Sequence, residues 1–326
     1  MKIYVAEKCY RHTIIDLVSG HSGPYQSRIK GDLFHEVGTL SAADAILIPS
    51  DAYYFHSYPE YIDYIKDLSF HKLIIISDRG DFPKKLKLPN SIFLRVALDP
   101  GESHAGKILV PYNVESLENL PLRNRESKPK VSFMGYVPKI SPRRILHAMT
   151  HSPLHPLTGN GAIVRNILRV QANNSQLGVD FITRSEYSIS DIDSDSMSKR
   201  RLEYIEQIQN SDFILTPRGD ANSSARFYET LSAGRIPVFP FSHSKVPNDS
   251  LIKDSLSHMC VSFPLVRGSI FKEVTRFWQR LDSNVKYLTL QQSIRQLYIE
   301  NFKYQPFLKR LFSQSVNELK KSANIY

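Results

Sequence analysis

With 326 residues, the chain is long for one α/β domain and sufficient for two of roughly 120 to 180 residues, each with its own core. A hydrophobic fraction of 41% and a charged fraction of 23% are those of a globular protein, and no apolar run approaches the roughly 18 residues that span a bilayer. Two cysteines, Cys9 and Cys260, exclude a disulfide framework or a thiolate metal site and fit a reducing compartment. The net charge of +10 favours an anionic partner: a nucleotide, an anionic lipid head group or a nucleic acid.

The first residues, MKIYVAEKCYRHTIIDLV, contain no continuous apolar stretch or small-residue cleavage site and read directly as a strand. A cytoplasmic location, with peripheral contact to a membrane surface as an option, is therefore expected. Short β-branched runs follow at 2–6, 45–49, 72–77, 92–97 and 108–110, spaced too widely for hairpins and suited to buried parallel strands. Between them, residues 60–68 place Tyr61, Tyr64, Ile65 and Leu68 at helical spacing. Alternating strands and helices predict βαβ units.

Residues 115–130 turn polar and basic, with Pro121 and Pro129, and predict the boundary between domains at 1–125 and 126–326. A second strand series follows at 131–135, 179–183, 213–217, 236–240 and 260–263. The fold class expected is α/β with two Rossmann-like domains. Helical segments at 271–281 and 290–321 are expected to close the second domain and to lean back on the first.

The segment 211–238, SDFILTPRGDANSSARFYETLSAGRIPV, parses as strand, polar loop, helix, glycine stop and strand. Pro217 and Gly219 end the strand, Asn222, Ser223 or Ser224 caps the helix, and Gly234 terminates it. At about 100° per residue, Arg226, Glu229 and Thr230 share one face with Ser223 beside them, while Phe227, Tyr228 and Leu231 share a packing face. A strand opening onto a helix N-terminus is where doubly wound sheets bind nucleotides. Arg218 and Arg226 suit a diphosphate, and Glu229 suits ribose hydroxyls. The alternative is an Arg226–Glu229 surface pair on a packing helix.

This segment resembles the signature of the exostosin family, glycosyltransferase family 47: Ser211, an apolar strand, Pro217, Arg218, Gly219, Ser224, Arg226, Glu229, Ala233, Gly234, Ile236, Pro237 and Val238. Upstream, Ser132 to Gly135 followed by Ser141, Arg143 and Arg144 is similar to the family's strand and glycine loop. Residues 42–50 and 72–80 are similar to its first-domain strands. The resemblance implies a GT-B fold with parallel sheets and a facing interdomain cleft. It also implies inverting transfer of a sugar from a nucleotide diphosphate donor, usually UDP-linked; the acceptor is not carried over with it, and a glycan or lipid-linked glycan hydroxyl is the expectation. Neither a metal nor a further cofactor is expected, and no nucleic-acid partner.

Arg143 and Arg144 follow the cap Ser141 and the first helical residue Pro142, a geometry suited to phosphate, with solvated surface arginines as the plain alternative. An inverting transfer needs a base. Asp51 and Asp78 stand at strand ends and His56 in the loop after the former. Each is a candidate, set against ordinary loop hydrogen bonding. His147, His151 and His155 are spaced as zinc ligands on one helix, but Pro153 and Pro156 interrupt it. Asp191, Asp193 and Asp195 read as helix capping, because Ser196 and Leu202 stand where a calcium loop needs glycine and glutamate. Basic residues Lys199, Arg200, Arg201, Lys309, Arg310, Lys320 and Lys321, with Phe307, Leu308, Leu311 and Phe312 nearby, read as solvated helix faces and packing, or as peripheral membrane attachment. A binding subunit without turnover and a basic nucleic-acid-binding protein are the alternative functions.

Overall fold

The computed structural model describes residues 1–6, 33–48, 59–78, 88–98, 103, 105–143, 145–146, 160–184, 194–219, 222–241, 246–247, 249–264 and 269–325. The chain divides into two compact units. The first comprises Met1–Val114, Lys245–Asn248 and Glu300–Tyr326, and the second Glu115–Ser244 and Asp249–Ile299.

In the first unit six strands, β1 (Lys2–Val5), β2 (His35–Glu36), β3 (Ala45–Ile48), β4 (Leu73–Asp78), β5 (Ser91–Arg95) and β6 (Lys107–Leu109), form one sheet in the order β2-β1-β3-β4-β5-β6. Every pairing is parallel. Successive side chains of a strand point to opposite faces, and the apolar runs divide accordingly. Ala45, Leu47, Leu73, Ile75, Ile92 and Leu94 enter one core, whereas Ile46, Ile48, Ile74, Ile76 and Phe93 enter the other. A sheet buried on both faces is what uninterrupted aliphatic strands require. Helix α1 (Pro59–His71) covers the second face with Ile65 and Leu68.

The other face is covered from the far end of the chain. Tyr304, Phe307, Leu308, Leu311 and Phe312 of α8 (Tyr304–Ser313) and Leu319 of α9 (Val316–Ser322) pack on Ile3, Leu47, Ile75 and Leu94. The C-terminal aromatics are therefore core, which removes the apolar face that membrane attachment there would need. Lys309 and Arg310 stay exposed. A π-helical turn, Tyr298–Phe302, separates these helices from α7 (Asn284–Leu297), so the expected helical stretch 290–321 is three helices and a turn. No helix among the described residues is long and apolar enough to cross a membrane.

The second unit holds a five-stranded parallel sheet of β7 (Val131–Tyr136), β8 (Val179–Arg184), β9 (Phe213–Leu215), β10 (Ile236–Phe241) and β11 (Val261–Pro264), in the order β11-β10-β9-β7-β8. Numbered within the unit and read from the β8 edge, this is 2-1-3-4-5, so the winding reverses between β7 and β9. Around it run α2 (Gly161–Asn173), α3 (Ser194–Gln209), α4 (Ala225–Ser232), α5 (Asp249–Met259), α6 (Ile270–Arg280) and α7.

The division between units falls between Val114 and Glu115, ahead of the expected 125/126, because the polar segment 115–130 is bound into the second unit. Asp212, fully buried, accepts Arg123 Nε at 3.0 Å, Tyr287 Oη at 2.7 Å and the Lys130 amide at 2.7 Å. Gln291 exchanges two hydrogen bonds with the Arg123 backbone. Arg125 stacks over Trp278 at 4.7 Å and donates to the Leu281 carbonyl. Fully buried Arg235 donates to the carbonyls of Pro121, Ile208, Gln209 and Ala233 and to Gln291 Oε1. Burial pulls its pKa down to about 10, and neighbouring Arg123 and Arg295 press the same way.

Helix α4 ends as a Schellman motif. Gly234, at φ +67, donates to the Leu231 carbonyl at 2.9 Å, and Arg235 donates to the Thr230 carbonyl at 3.0 Å. A Cβ at position 234 would stand 2.8 Å from the Gln291 carbonyl oxygen. Gly234→Ala should therefore lower stability by at least about 1–2 kcal/mol from the left-handed backbone alone. Urea unfolding reads this as a lower midpoint; an unshifted midpoint contradicts it.

Candidate functional site

In an open parallel sheet, ligands bind beyond the carboxyl ends of the strands where the winding order reverses. In the second unit that point lies between β7 and β9, and among the residues singled out from the sequence Gly135, Arg218 and Arg226 stand at it.

Arg226, in the first turn of α4, donates from Nη2 to the Met134 carbonyl at 2.6 Å. Its guanidinium lies 4.8 Å from the Phe133 ring and 5.7 Å from the Tyr204 ring, an arrangement that both orients the cation and stabilises it. Nε of Arg226 is buried without a hydrogen-bond partner among the described residues. Gly135 leaves room for it in this position: a Cβ there would stand 2.9 Å from Arg226 Nη2 and 3.2 Å from the Phe133 ring, so the guanidinium would have to move. The penultimate residue of β7, Gly135, thus makes room for a side chain from another part of the chain.

Glu229 does not pair with Arg226 in the described contacts. One carboxylate oxygen accepts Arg201 Nη1 at 2.6 Å, and the other accepts Tyr204 Oη at 2.8 Å. Arg201 also donates to Glu115 at 3.0 Å. Burial alone would lower its pKa, but the Glu229 carboxylate holds it above the ordinary arginine value. Arg201 is therefore committed inside the protein, not displayed to a lipid surface. Lys199, two residues earlier, is exposed.

Arg218 is buried, with 5% of its surface exposed, and its carbonyl accepts Arg165 Nη2 at 3.3 Å. Gly219 donates its amide to the Ser223 carbonyl at 3.2 Å, closing the loop that delivers the chain to α4. Ser223 is buried, and Ser224 is the N-cap residue but makes no side-chain capping bond. Phe227, Tyr228 and Leu231 pack as expected. The opposite face is less open than its polarity suggests: Thr230 is fully buried, its hydroxyl donating to the Arg226 carbonyl at 2.7 Å.

Arg143 is exposed just after Ser141, whose carbonyl accepts the Ile145 amide at 3.1 Å. Arg144 lies outside the described residues, as do Asp51, His56, His147, His151, His155, Asp191 and Asp193. Asp78 is the last residue of β4, in register with Arg95 of β5, and so stands at the carboxyl edge of the first sheet.

Several contributors escape a sequence reading. Arg165 and Gly161 of α2, Arg201 and Tyr204 of α3, and Arg184 at the end of β8 converge on the ends of β7 and β9. Arg184 pairs with Glu203 and contacts Met134 Sδ at 3.2 Å. The one local cue is the four-residue spacing of Gly161 and Arg165, which puts both on one helix face.

No protein-family model matches the chain. Among curated proteins it is similar to Exostosin-1c of Danio rerio, 28% identical over 144 residues, or 41% of this chain and 19% of that protein. The chain thus spans about a fifth of the length of this relative. Among solved structures it is similar to the catalytic domain of Starch Synthase IV from Arabidopsis thaliana (TM-score 0.39, 12% identity, 86% of this chain and 73% of that one). It is also similar to a mutant O-GlcNAc transferase of Thermobaculum terrenum (TM-score 0.41, 12% identity, 99% of this chain and 68% of that one).

The Tyr204 phenol is raised well above its ordinary pKa, by burial first and then by the charge of Glu229. A raised phenol favours the neutral form in the folded state, so its contribution is complete below about pH 10, the unfolded value, and is lost as pH rises beyond it. Tyr204→Phe should cost about 1.5–3 kcal/mol, because Glu229 loses one of its donors. It should also flatten the decline of stability above pH 10. Urea unfolding of both proteins at pH 8 and pH 10.5 checks this, and parallel losses in the two would contradict it.

Proposed function

We propose that the chain is a glycosyltransferase of the exostosin type, taking a UDP-linked sugar at the switch point of its second unit. The observation that carries this reading is Arg226, stacked between two rings across the carboxyl end of β7, over a glycine that leaves space for it. A preorganised guanidinium beside a helix N-terminus meets the requirement of a diphosphate leaving group, whose charge develops as the sugar departs. Arg218 and the amides of the loop after β9 complete the donor side, with Arg143 and Arg144 as further phosphate ligands. The similarity to Exostosin-1c supports the same assignment.

Transfer proceeds with inversion and without a metal: arginines and backbone dipoles take the role that a divalent cation plays elsewhere. No cofactor beyond the donor is invoked. The acceptor is a hydroxyl of a glycan or of a lipid-linked glycan, deprotonated by Asp78, Asp51 or His56 from the first unit. Glu229 serves the ribose with the lone pairs that Arg201 and Tyr204 leave. Nucleic acid is not the partner in this reading.

A thermal-shift panel of UDP-sugars, followed by mass spectrometry of transferred product, tests the proposal. A stabilising donor and a sugar-sized mass gain on an acceptor are expected, and Arg226→Ala should reduce transfer by about 10²–10³-fold. Binding without transfer across a broad acceptor panel would instead describe a sugar-nucleotide-binding subunit. No response to any nucleotide sugar, or full transfer by Arg226→Ala, would overturn the assignment.

A further inference from the structure

Helix α2 meets the loop after β9 twice on one face. Gly161, its first residue, is so close that a Cβ would stand 2.2 Å from the Gly219 carbonyl oxygen and 2.8 Å from that of Arg218. One turn later, Arg165 donates from Nη1 to the Tyr136 carbonyl at 2.9 Å and from Nη2 to the Arg218 carbonyl at 3.3 Å. Those carbonyls belong to the end of β7 and to the loop that leaves β9, the two sides of the switch point.

The helix is itself held in place. Asn160 caps it by accepting the amides of Ala162 and Ile163 at 3.0 and 3.3 Å. Asn166 donates to the Pro138 carbonyl at 2.7 Å, fixing the same helix to the segment after β7. The loop then passes its geometry to α4 through the Gly219 amide on the Ser223 carbonyl, next to the cap Ser224 and three residues before Arg226.

We propose that Arg165 is a positioning residue for the donor diphosphate. By bridging two carbonyls it holds the 217–219 loop in register with the end of β7, so that the loop amides and the first turn of α4 converge on one ligand. It acts through these carbonyls, not by touching the donor, and the proposal rests on the donor reading given above. A planar guanidinium serves two acceptors at fixed separation, whereas an ammonium serves them as a single point charge. Lysine should therefore restore the function in part, and a neutral side chain not at all.

The test uses the full chain with Arg165→Met, Arg165→Lys and Gly161→Ala, measuring melting temperature, UDP affinity by calorimetry, and KM and kcat for the donor identified by the panel. Arg165→Met is expected to weaken UDP binding and raise donor KM on the order of tenfold or more, the scale on which small misplacements act. Arg165→Lys should fall between it and wild type, and Gly161→Ala should weaken binding through the same loop. A purely structural role would lower the melting temperature and the bound fraction while leaving the affinity of the folded protein unchanged, and that result overturns the proposal. Should Arg165→Met not fold, wild-type affinity in both Arg165→Lys and Gly161→Ala overturns it. A wild-type chain that binds no nucleotide refutes the donor reading itself and this proposal with it, whereas wild-type binding with undisturbed variants refutes only the role of Arg165.

Discussion

A glycine one residue before the end of a strand leaves a gap the size of one side chain, and in the second unit that gap, at Gly135 of β7, is filled by an arginine from elsewhere in the chain. The contact of Arg226 with the Met134 carbonyl and the Phe133 ring over Gly135 couples the N-terminus of α4 to the end of β7. An alanine at position 135 would displace the guanidinium, and a shorter residue at 226 would remove it, disturbing the same joint from opposite sides. Around it two further groups have settled partners: the Glu229 carboxylate takes Arg201 and Tyr204, and Arg165 donates to the backbone on both sides of the switch point. Charge is thus concentrated where the sheet is open, while most of it is already oriented. That is the condition under which a cationic site stabilises developing negative charge without reorganising.

The joint is supported from below by a second polar assembly at the opposite ends of the same strands. Asp212 precedes β9 and Arg235 precedes β10, and both are fully buried. Removing charged groups from water is costly unless every donor and acceptor is matched. Here Asp212 has Arg123, Tyr287 and the Lys130 amide, and Arg235 has four carbonyls and a glutamine. The price in desolvation is visible in the lowered pKa of Arg235. Its structural return is that the 115–130 strap, the end of α3, α4 and α7 are held to one another, so that β9 and α4 have a fixed base.

Much of this is legible in the amino-acid order, and the reason is physical. Parallel strands buried on two faces must be apolar throughout, so runs such as Ala45 to Ile48 and Leu73 to Ile76 declare themselves, as does the glycine at 234 that only a left-handed stop explains. The two-residue edge strand β2, His35–Glu36, is exposed and polar, and nothing in its composition marks it. The strap at 115–130 reads as a linker because polarity and prolines signal solvent; its carbonyls and arginines are instead the partners of buried charge. Arg235 is not among the residues that carry the resemblance, and no local pattern reveals that it is enclosed. Arg201 reads as part of a basic run, yet two carboxylates distant in sequence claim it. Local periodicity identifies elements and faces; it does not identify which charge finds which partner across the fold.

In the proposed function, the carboxyl ends of β7 and β9, with Arg226 between them, receive a nucleotide diphosphate. Amide hydrogen exchange of the full chain with and without UDP locates the ligand directly. Slowed exchange is expected at 134–136, 161–165, 216–219 and 222–226, with the first unit little changed by UDP alone. Slowing confined to other residues, or none at saturating UDP, would contradict it.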